Sequence, residues 1–149
     1  MKTELSWKNG MLFNAVCDNN TVQMDSKAPL GQNQGMTPKE LVATGLGGCT
    51  AMDVIALLKK HKQSFDSFDI TVDITPSNSG HPIVFKDVNL SFKVSGSVEP
   101  NILIDAVNLS QTKYCGVSAM LSKAVPINYT ITLNGTEIKQ GKATFEGSL

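Results

Sequence analysis

Alternation of apolar and polar residues predicts several short strands in this chain. The first contains Leu5 and Trp7 and ends at Asn9-Gly10, a dipeptide typical of two-residue hairpin turns. The same alternation recurs in five later segments: residues 11–17, 22–24, 68–74, 88–94 and 127–133. Asn134-Gly135 then indicates a closing hairpin, whose second strand returns over residues 137–145. The pattern predicts an N-terminal meander, a central pair of strands and a C-terminal hairpin.

A long helix is predicted after the first three strands. Thr37 is a good N-cap, Pro38 suits the first helical position, and Glu40 lies where a capping box needs it. Helical sequence then continues to about Lys62, with no charged residue between Glu40 and Asp53. Because a helix that is apolar nearly all round is normally buried, we expect this one to be the central helix of the fold.

Three glycines, Gly45, Gly47 and Gly48, lie inside this helix. Each costs about 1 kcal/mol relative to alanine in a helix interior. Close approach of another helix, or of a substrate, to the backbone beside Cys49 would offset that cost.

A second helical region begins near Glu99-Pro100 and breaks around Cys115-Gly116. A short helical turn follows over residues 117–123 and ends at Pro126. Strands and helices in this order predict a single α+β domain over residues 1–149. Since about 150 residues cannot wrap so long an apolar helix, we expect a second subunit to cover part of it.

Composition disfavours several classes of function. Thirteen lysines balance thirteen acidic residues, there is no arginine, and no long basic run occurs, so nucleic-acid binding has little support. The N-terminal residues lack the apolar core of a signal peptide. The longest uncharged apolar stretch, residues 41–52, is shorter than the ~20 residues that span a bilayer. These features predict a soluble cytoplasmic protein with no membrane association.

Two of the three cysteines are the candidate reactive groups, since a reducing compartment disfavours a disulfide framework. Cys49 lies within the apolar helix, where packing as a small hydrophobe is the simpler interpretation. Asp53, one turn later, would raise its pKa. Cys115 precedes a helical segment, whose free N–H groups favour a nearby thiolate, although a thiol that merely caps the break is equally plausible. Cys17 is expected to pack in the core.

A peroxidatic and resolving pair would form if the fold brings Cys49 and Cys115 together, 66 residues apart in sequence. Neither His61 nor His81 has metal-type spacing to a cysteine, so no metal or organic cofactor is expected. Glu40 is most simply a capping residue, and Lys39 is most simply solvated.

Three segments carry a resemblance to a known family: residues 37–43, residues 47–54 and residues 114–118. Together they resemble the OsmC/Ohr family, named for osmotically inducible protein C and organic hydroperoxide resistance. The Thr-Ala-Met-Asp-Val run after Cys49 is closest to a less characterised OsmC-like branch. The resemblance implies an intertwined homodimer in which long central helices are flanked by antiparallel sheets, with active sites at the subunit interface.

The resemblance also implies a thiol-dependent peroxidase that reduces organic hydroperoxides in oxidative stress defence. Cys49 would attack the O–O bond, Cys115 would resolve the sulfenic acid as a disulfide, and a dithiol such as a lipoylated protein would reduce it. Reductases of the family activate the thiolate with an arginine from the N-terminal region and with a glutamate ten residues before the first cysteine. Lys39 occupies that position here and Glu40 follows it, so both are possible auxiliary residues.

Two other functions stay open at this point. One is a non-catalytic OsmC-like module that binds an apolar ligand at the dimer interface, favoured by the absent arginine and by Asp53. The other is a different thiol enzyme that handles acyl or persulfide groups. A Cys49 pKa well below the ordinary thiol value of about 8.5 would favour catalysis, and one near or above it would favour the binding module.

Overall fold

The computed structural model describes residues 1–147. The chain divides into two compact units, the first over Met1–Thr44 and the second beginning at Gly45. Its secondary structure is mixed, with two separate sheets and three α-helices in the described residues, which confirms the predicted α+β class. That the whole chain is one domain stays a prediction.

The first unit contains a three-stranded antiparallel meander. Its strands are β1 (Thr3–Asn9), β2 (Leu12–Cys17) and β3 (Asn20–Met24), in the spatial order β1-β2-β3. These strands confirm the meander predicted from the alternating pattern. Cys17, at the end of β2, is half-buried and is not among the buried core residues, which corrects the expectation that it packs in the core.

The carboxylate of Asp25 organises the loop that follows β3. It accepts backbone N–H bonds from Ser26 at 2.7 Å, Gln32 at 3.0 Å and Gln34 at 3.1 Å. The bond from Gln34, supported by those from Gln32 and Ser26, holds the pKa of Asp25 below its ordinary value against the opposing effect of burial. Gly31 is required here because a Cβ atom at this position would clash with the backbone of Ser26.

Helix α1 (Pro38–Lys60) begins in the first unit with the predicted capping box. The Thr37 N–H donates to Glu40 Oε2 at 2.8 Å, and the Glu40 N–H donates back to Thr37 Oγ1 at 3.3 Å. Lys27 Nζ forms an ion pair with Glu40 Oε1 at 2.9 Å. Both carboxylate oxygens of Glu40 therefore have partners at the start of α1.

The second unit contains a four-stranded sheet in the order β4-β5-β6-β7. Its strands are β4 (Ser67–Pro76), β5 (Phe85–Ser95), β6 (Ile127–Leu133) and β7 (Thr136–Lys142). The pairs β4–β5 and β6–β7 are antiparallel, whereas β5 and β6 are parallel. The resemblance implied antiparallel sheets, so the parallel pair is a correction. Alternation along a strand predicts its two faces but not whether it runs parallel to a strand distant in sequence.

A helical crossover joins the two parallel strands, as parallel pairing requires. It consists of α2 (Pro100–Leu109), a π-helical turn (Ser110–Tyr114) and α3 (Gly116–Leu121). The predicted break at Cys115 is confirmed, because Cys115 has an extended backbone (φ −70°, ψ 99°) between the π-helical turn and α3. The helical segment is interrupted here, and the Cys115 side chain caps the N-terminus of α3.

One face of α1 is buried within the second unit. The buried residues recur at helical spacing, and they are Leu46, Gly47, Thr50, Val54 and Leu58. The adjoining core is formed by the inward faces of the sheet together with α2, including Leu90, Phe92, Leu103, Val107 and Ile131. Alternating burial along β5 and β6 follows the predicted pattern.

The opposite face of α1 is exposed, as expected if one chain covers only part of this apolar helix. Met52 retains 74% of its side-chain exposure, and Ala56 is also exposed. By length and composition α1 could cross a membrane, with a mean hydropathy of 1.8 over an 18-residue window of which 28% is buried. Core helices of soluble proteins also meet this test of length and composition, and the absence of membrane association stays a prediction.

Candidate functional site

The structure brings Cys49 and Cys115 together. Their sulfur atoms and a carboxylate oxygen of Asp53 all lie within 4.8 Å of one another. Helix α1 supplies Cys49 and Asp53 from positions i and i+4, which lie on one face of a helix. The break between the π-helical turn and α3 supplies Cys115. Two thiols and a carboxylate from separate elements therefore form one cluster, which carries donor atoms suited to a thiophilic metal ion.

The two thiols differ in accessibility. Cys115 is completely buried, with 0% exposure, whereas Cys49 is half-buried. Cys49 therefore presents part of its surface to solvent, whereas Cys115 presents none without movement of the chain. Both cysteines are free in this structure.

Hydrogen bonds fix the position of the Cys115 sulfur. As the N-cap of α3, its Sγ accepts a bond from the Ser118 backbone N–H at 3.3 Å. Thr50 Oγ1 lies 3.3 Å from the same sulfur and 3.5 Å from Ser118 Oγ. Thr50 is one residue after Cys49, so the buried face of α1 directly supports the second thiol.

The surroundings of Cys49 disfavour its thiolate. Burial is the largest cause that raises the pKa of Cys49. A hydrogen bond from the Val117 backbone N–H acts in the opposite direction, while Cys115 and the negative charge of Asp53 raise the pKa further. Because its pKa is raised, Cys49 in the single chain forms less of the reactive thiolate than an ordinary cysteine does.

Asp53 is the charged member of the cluster. Partial burial raises its pKa above the ordinary carboxyl value, and a hydrogen bond from Ser110 opposes that shift. Ser110 Oγ donates to Asp53 Oδ2 at 3.0 Å, so the bond fixes one carboxylate oxygen and orients the other. The fully buried Ser110 belongs to the π-helical turn.

A buried polar network joins the carboxylate to the second thiol. Gln111 Nε2 donates to Thr50 Oγ1 at 3.2 Å and to Ser110 Oγ at 3.4 Å. Thr50, Ser110, Gln111 and Ser118 all have 0% exposure. Gln111 Oε1 is buried without a hydrogen-bond partner among the described residues, so the network contains one unused acceptor.

The predicted auxiliary residues, Lys39 and Glu40, lie in the first unit at the start of α1. Lys39 is exposed, and Glu40 is the capping residue already described. The capping interpretation of Glu40 is confirmed. A role for either residue in thiol chemistry stays a prediction.

Sequence reasoning missed Thr50, Ser110 and Gln111 as members of the site. Thr50 follows Cys49 directly and is the buried polar residue of an apolar helix, so its position was a usable signal. Gln111 gave none, because a glutamine in a helical segment is normally exposed. Ser110 and Gln111 both lie in the π-helical turn, and both are fully buried.

Comparison with known proteins identifies the family. Residues 31–130 match a family model described as OsmC-like protein, and this range includes both cysteines and Asp53. The chain belongs to the OsmC-like family. Protein YhfA of Escherichia coli K12 is 32% identical over 133 residues, which cover 87% of this chain and 96% of that protein.

Solved structures agree with this OsmC-like assignment. A hypothetical protein from Aquifex aeolicus has a TM-score of 0.76 at 24% identity and covers 89% of this chain and 96% of its own. An organic hydroperoxide resistance protein from Legionella pneumophila has a TM-score of 0.65 at 17% identity, with 89% and 97% covered. At these identities the likeness establishes the fold of the OsmC-like chain and nothing further about its chemistry.

Proposed function

We propose that this protein is a two-cysteine peroxidase that reduces organic hydroperoxides. The observation that carries the proposal is the proximity of a half-buried and a fully buried thiol, within 4.8 Å of each other. The resemblance of the fold to an organic hydroperoxide resistance protein supports the substrate class. Reduction of hydroperoxides as part of oxidative stress defence is the corresponding biological role.

The first chemical step uses the accessible thiol. The Cys49 thiolate attacks the terminal oxygen of the hydroperoxide, the O–O bond breaks, and Cys49 becomes a sulfenic acid. The alkoxide that leaves takes up the proton lost by the thiol and departs as an alcohol. Sulfur is oxidised by two electrons, and the peroxide is reduced by two.

The second step uses the buried thiol. The Cys115 sulfur attacks the Cys49 sulfenic acid, a disulfide forms, and the hydroxyl group leaves as water with the Cys115 proton. Thr50 and the Ser118 N–H hold the Cys115 sulfur beside its target. A dithiol, such as a lipoyl group or a small thiol, then reduces the disulfide in the cytoplasm.

The proposal includes a homodimer. The exposed apolar face of α1 is the surface on which a second copy would pack, and Met52 lies in it. A second copy would also bring Lys39 as a source of positive charge for Cys49, since the charged groups that act on Cys49 within the described chain are Cys115 and Asp53. Positive charge beside a thiol stabilises the thiolate.

The test is to mix the fully reduced protein with one equivalent of cumene hydroperoxide, and separately of hydrogen peroxide, and to follow intact mass and free thiols. We expect loss of two thiols, faster with cumene hydroperoxide. Since burial raises the pKa of Cys49, the rate should rise as the pH increases above neutral and the thiolate fraction grows.

Three serine substitutions separate the roles of the cysteines. Cys49→Ser should abolish the reaction, whereas Cys115→Ser should still react but stop at a sulfenic acid that dimedone traps. Cys17→Ser is the matched control and should react like the wild-type protein. Thiols that persist for minutes in the wild type would overturn the peroxidase proposal.

One observation favours a second function, the non-catalytic binding module. The raised pKa of Cys49 is the result expected if the thiol is not a working nucleophile. In that case the same cluster would lie beside a site for a fatty or aromatic ligand. Saturable binding of a fluorescent fatty acid, together with thiols that resist cumene hydroperoxide, would favour this module over the peroxidase.

A further inference from the structure

The cluster has the composition and size of a metal site. Cys49 and Cys115 supply sulfur, Asp53 supplies oxygen, and these donor atoms lie within 4.8 Å of one another. A tetrahedral Zn²⁺ with Zn–S bonds of about 2.3 Å separates two sulfur ligands by about 3.8 Å. Small side-chain rotations therefore suffice to bring the three donors around one ion.

Other residues already hold the donors in place. Ser110 Oγ donates to one oxygen of Asp53 at 3.0 Å. Backbone N–H groups donate to both sulfurs, from Val117 to Cys49 and from Ser118 to Cys115. Hydrogen bonds to the ligands themselves orient them and stabilise their charge, as the outer contacts of metal sites do.

The chemistry of the donors selects the class of ion. Two thiolates and one carboxylate suit Zn²⁺ and similar thiophilic cations, while Ca²⁺ and Mg²⁺ require oxygen ligands throughout. Three negative ligands in a partly buried cluster also need a positive charge to offset their repulsion. Cys49 and Cys115 must give up their protons to bind, which couples metal binding to thiol chemistry.

We propose that the reduced protein binds one Zn²⁺-class cation through Cys49, Asp53 and Cys115, and that formation of the disulfide releases it. Binding replaces two thiol protons with the cation, and a fourth coordination position is left for water. Oxidation by a hydroperoxide removes two electrons from the two thiolates and gives the disulfide, free Zn²⁺, an alcohol and water, with two protons consumed. Metal and disulfide are thus mutually exclusive states of one site.

The binding half of this inference does not depend on peroxidase activity, whereas release by hydroperoxide rests on the proposed function. Bound metal would also hold both sulfurs as thiolates, which the surroundings of Cys49 otherwise disfavour. The site would then be protected from slow oxidation until a strong oxidant or a competing chelator arrives.

The experiment is a competition titration of the reduced, intact protein with Zn²⁺ against a chromophoric chelator. We expect one Zn²⁺ per chain, and at least about tenfold weaker binding in Cys49→Ser, Cys115→Ser and Asp53→Asn. Cys17→Ser is the control and should bind like the wild-type protein. Co²⁺ provides a second readout, because sulfur-to-cobalt charge-transfer absorption should appear in the wild type and weaken in both site cysteine variants.

Several outcomes would overturn the inference. One is the absence of stoichiometric Zn²⁺ binding, and another is binding that survives both Cys49→Ser and Cys115→Ser. Circular dichroism of each variant identifies loss of fold, and the Co²⁺ spectrum of Asp53→Asn then shows whether both sulfurs still bind.

The release of Zn²⁺ is tested with two oxidants, so that the peroxidase proposal and the metal-site proposal can fail independently. Cumene hydroperoxide should release Zn²⁺ if the proposed function is correct. Diamide, which oxidises thiols without peroxide chemistry, should release it in either case by joining Cys49 to Cys115. If diamide releases Zn²⁺ and cumene hydroperoxide does not, only the peroxidase proposal fails. If Zn²⁺ stays bound after diamide treatment, the proposal that the metal and the disulfide exclude each other is overturned.

Discussion

Cys49 lies among groups that act on its charge in opposite directions. Burial, Cys115 and Asp53 raise its pKa, and one backbone N–H, from Val117, lowers it. The charged side chains that act on it are Cys115 and Asp53, and a metal ion, a positive charge from a second subunit or elevated pH would favour its thiolate. The position of Asp53 one turn from Cys49 could be read from the sequence. The prediction that Asp53 raises the pKa of Cys49 is confirmed.

Asp53→Asn should therefore lower the pKa of Cys49, because it removes a nearby negative charge while keeping a similar shape. In the range in which thiols titrate, alkylation of Cys49 by iodoacetamide should be faster in the variant at a given pH. The midpoint of its rate–pH curve should move to lower pH. Site-specific mass spectrometry over a pH series, with a chelator present, measures this.

Asp105→Asn is the matched control for that measurement. Asp105 is an exposed carboxylate of α2 and does not belong to the cluster. Its loss should leave the Cys49 curve unchanged. If Asp53→Asn leaves the midpoint unchanged or raises it, the charge of Asp53 does not act on Cys49 in solution.

At the scale of elements, the packing of α1 against the sheet explains one of the three glycines inside this helix, and the other two face open space. A Cβ atom at Gly47 would lie 2.9 Å from Val72 Cγ2 of β4, so glycine permits close contact between helix and sheet. The sequence predicted a close approach beside Cys49 but assigned it to a helix or substrate. At Gly45 and Gly48 an added Cβ would meet nothing within 4 Å in the described chain.

Gly47→Ala and Gly48→Ala should consequently have opposite effects on stability. The first forces a methyl group against Val72, and overpacking of this kind costs about 1–3 kcal/mol. The second gains up to about 1 kcal/mol of helix propensity in the monomer, where the added Cβ meets nothing within 4 Å in its own chain. Chemical denaturation of both variants measures the difference, and equal free energies of unfolding would show that Val72 moves away at no cost.

A second element, the π-helical turn, determines the polar part of the site. It places Ser110 and Gln111 side by side in the core and ends at the extended residue Cys115. The sequence indicated a break at this point because Gly116 follows Cys115, but nothing in residues 110–114 indicated a π-helical turn. The network around Thr50 could therefore not be derived from helical periodicity.

The whole molecule exposes one face of its most apolar helix. Only 28% of the most hydropathic window of α1 is buried in the chain, and Met52 is 74% exposed at its centre. Exposed apolar surface of this extent marks an interaction site in soluble proteins. It supports the proposed homodimer, in which the second copy covers this face.

Met52→Lys should convert the dimer into a monomer, because burying an unpaired ammonium group in an apolar interface is strongly unfavourable. Analytical ultracentrifugation should give one dimeric species for the wild type and a monomer for the variant. Val84→Lys, a change at an exposed apolar residue outside α1, is the control and should stay dimeric. A wild-type protein that sediments as a monomer would contradict the proposed dimer.

The sequence by itself determined the strands and α-helices and their order along the chain, with ends that differ from the observed ones by a few residues. Alternation gave the strands, the Thr37–Glu40 capping box gave the start of α1, and the Asn-Gly dipeptides gave two of the turns, since these signals are local. Cys49 and Cys115 were identified because their neighbours resemble family motifs. The tertiary structure alone decided the parallel pairing of β5 with β6, which face of α1 is buried, and the approach of Cys115 to Cys49 and Asp53. Each of these depends on contacts between residues distant in sequence, which no local pattern encodes.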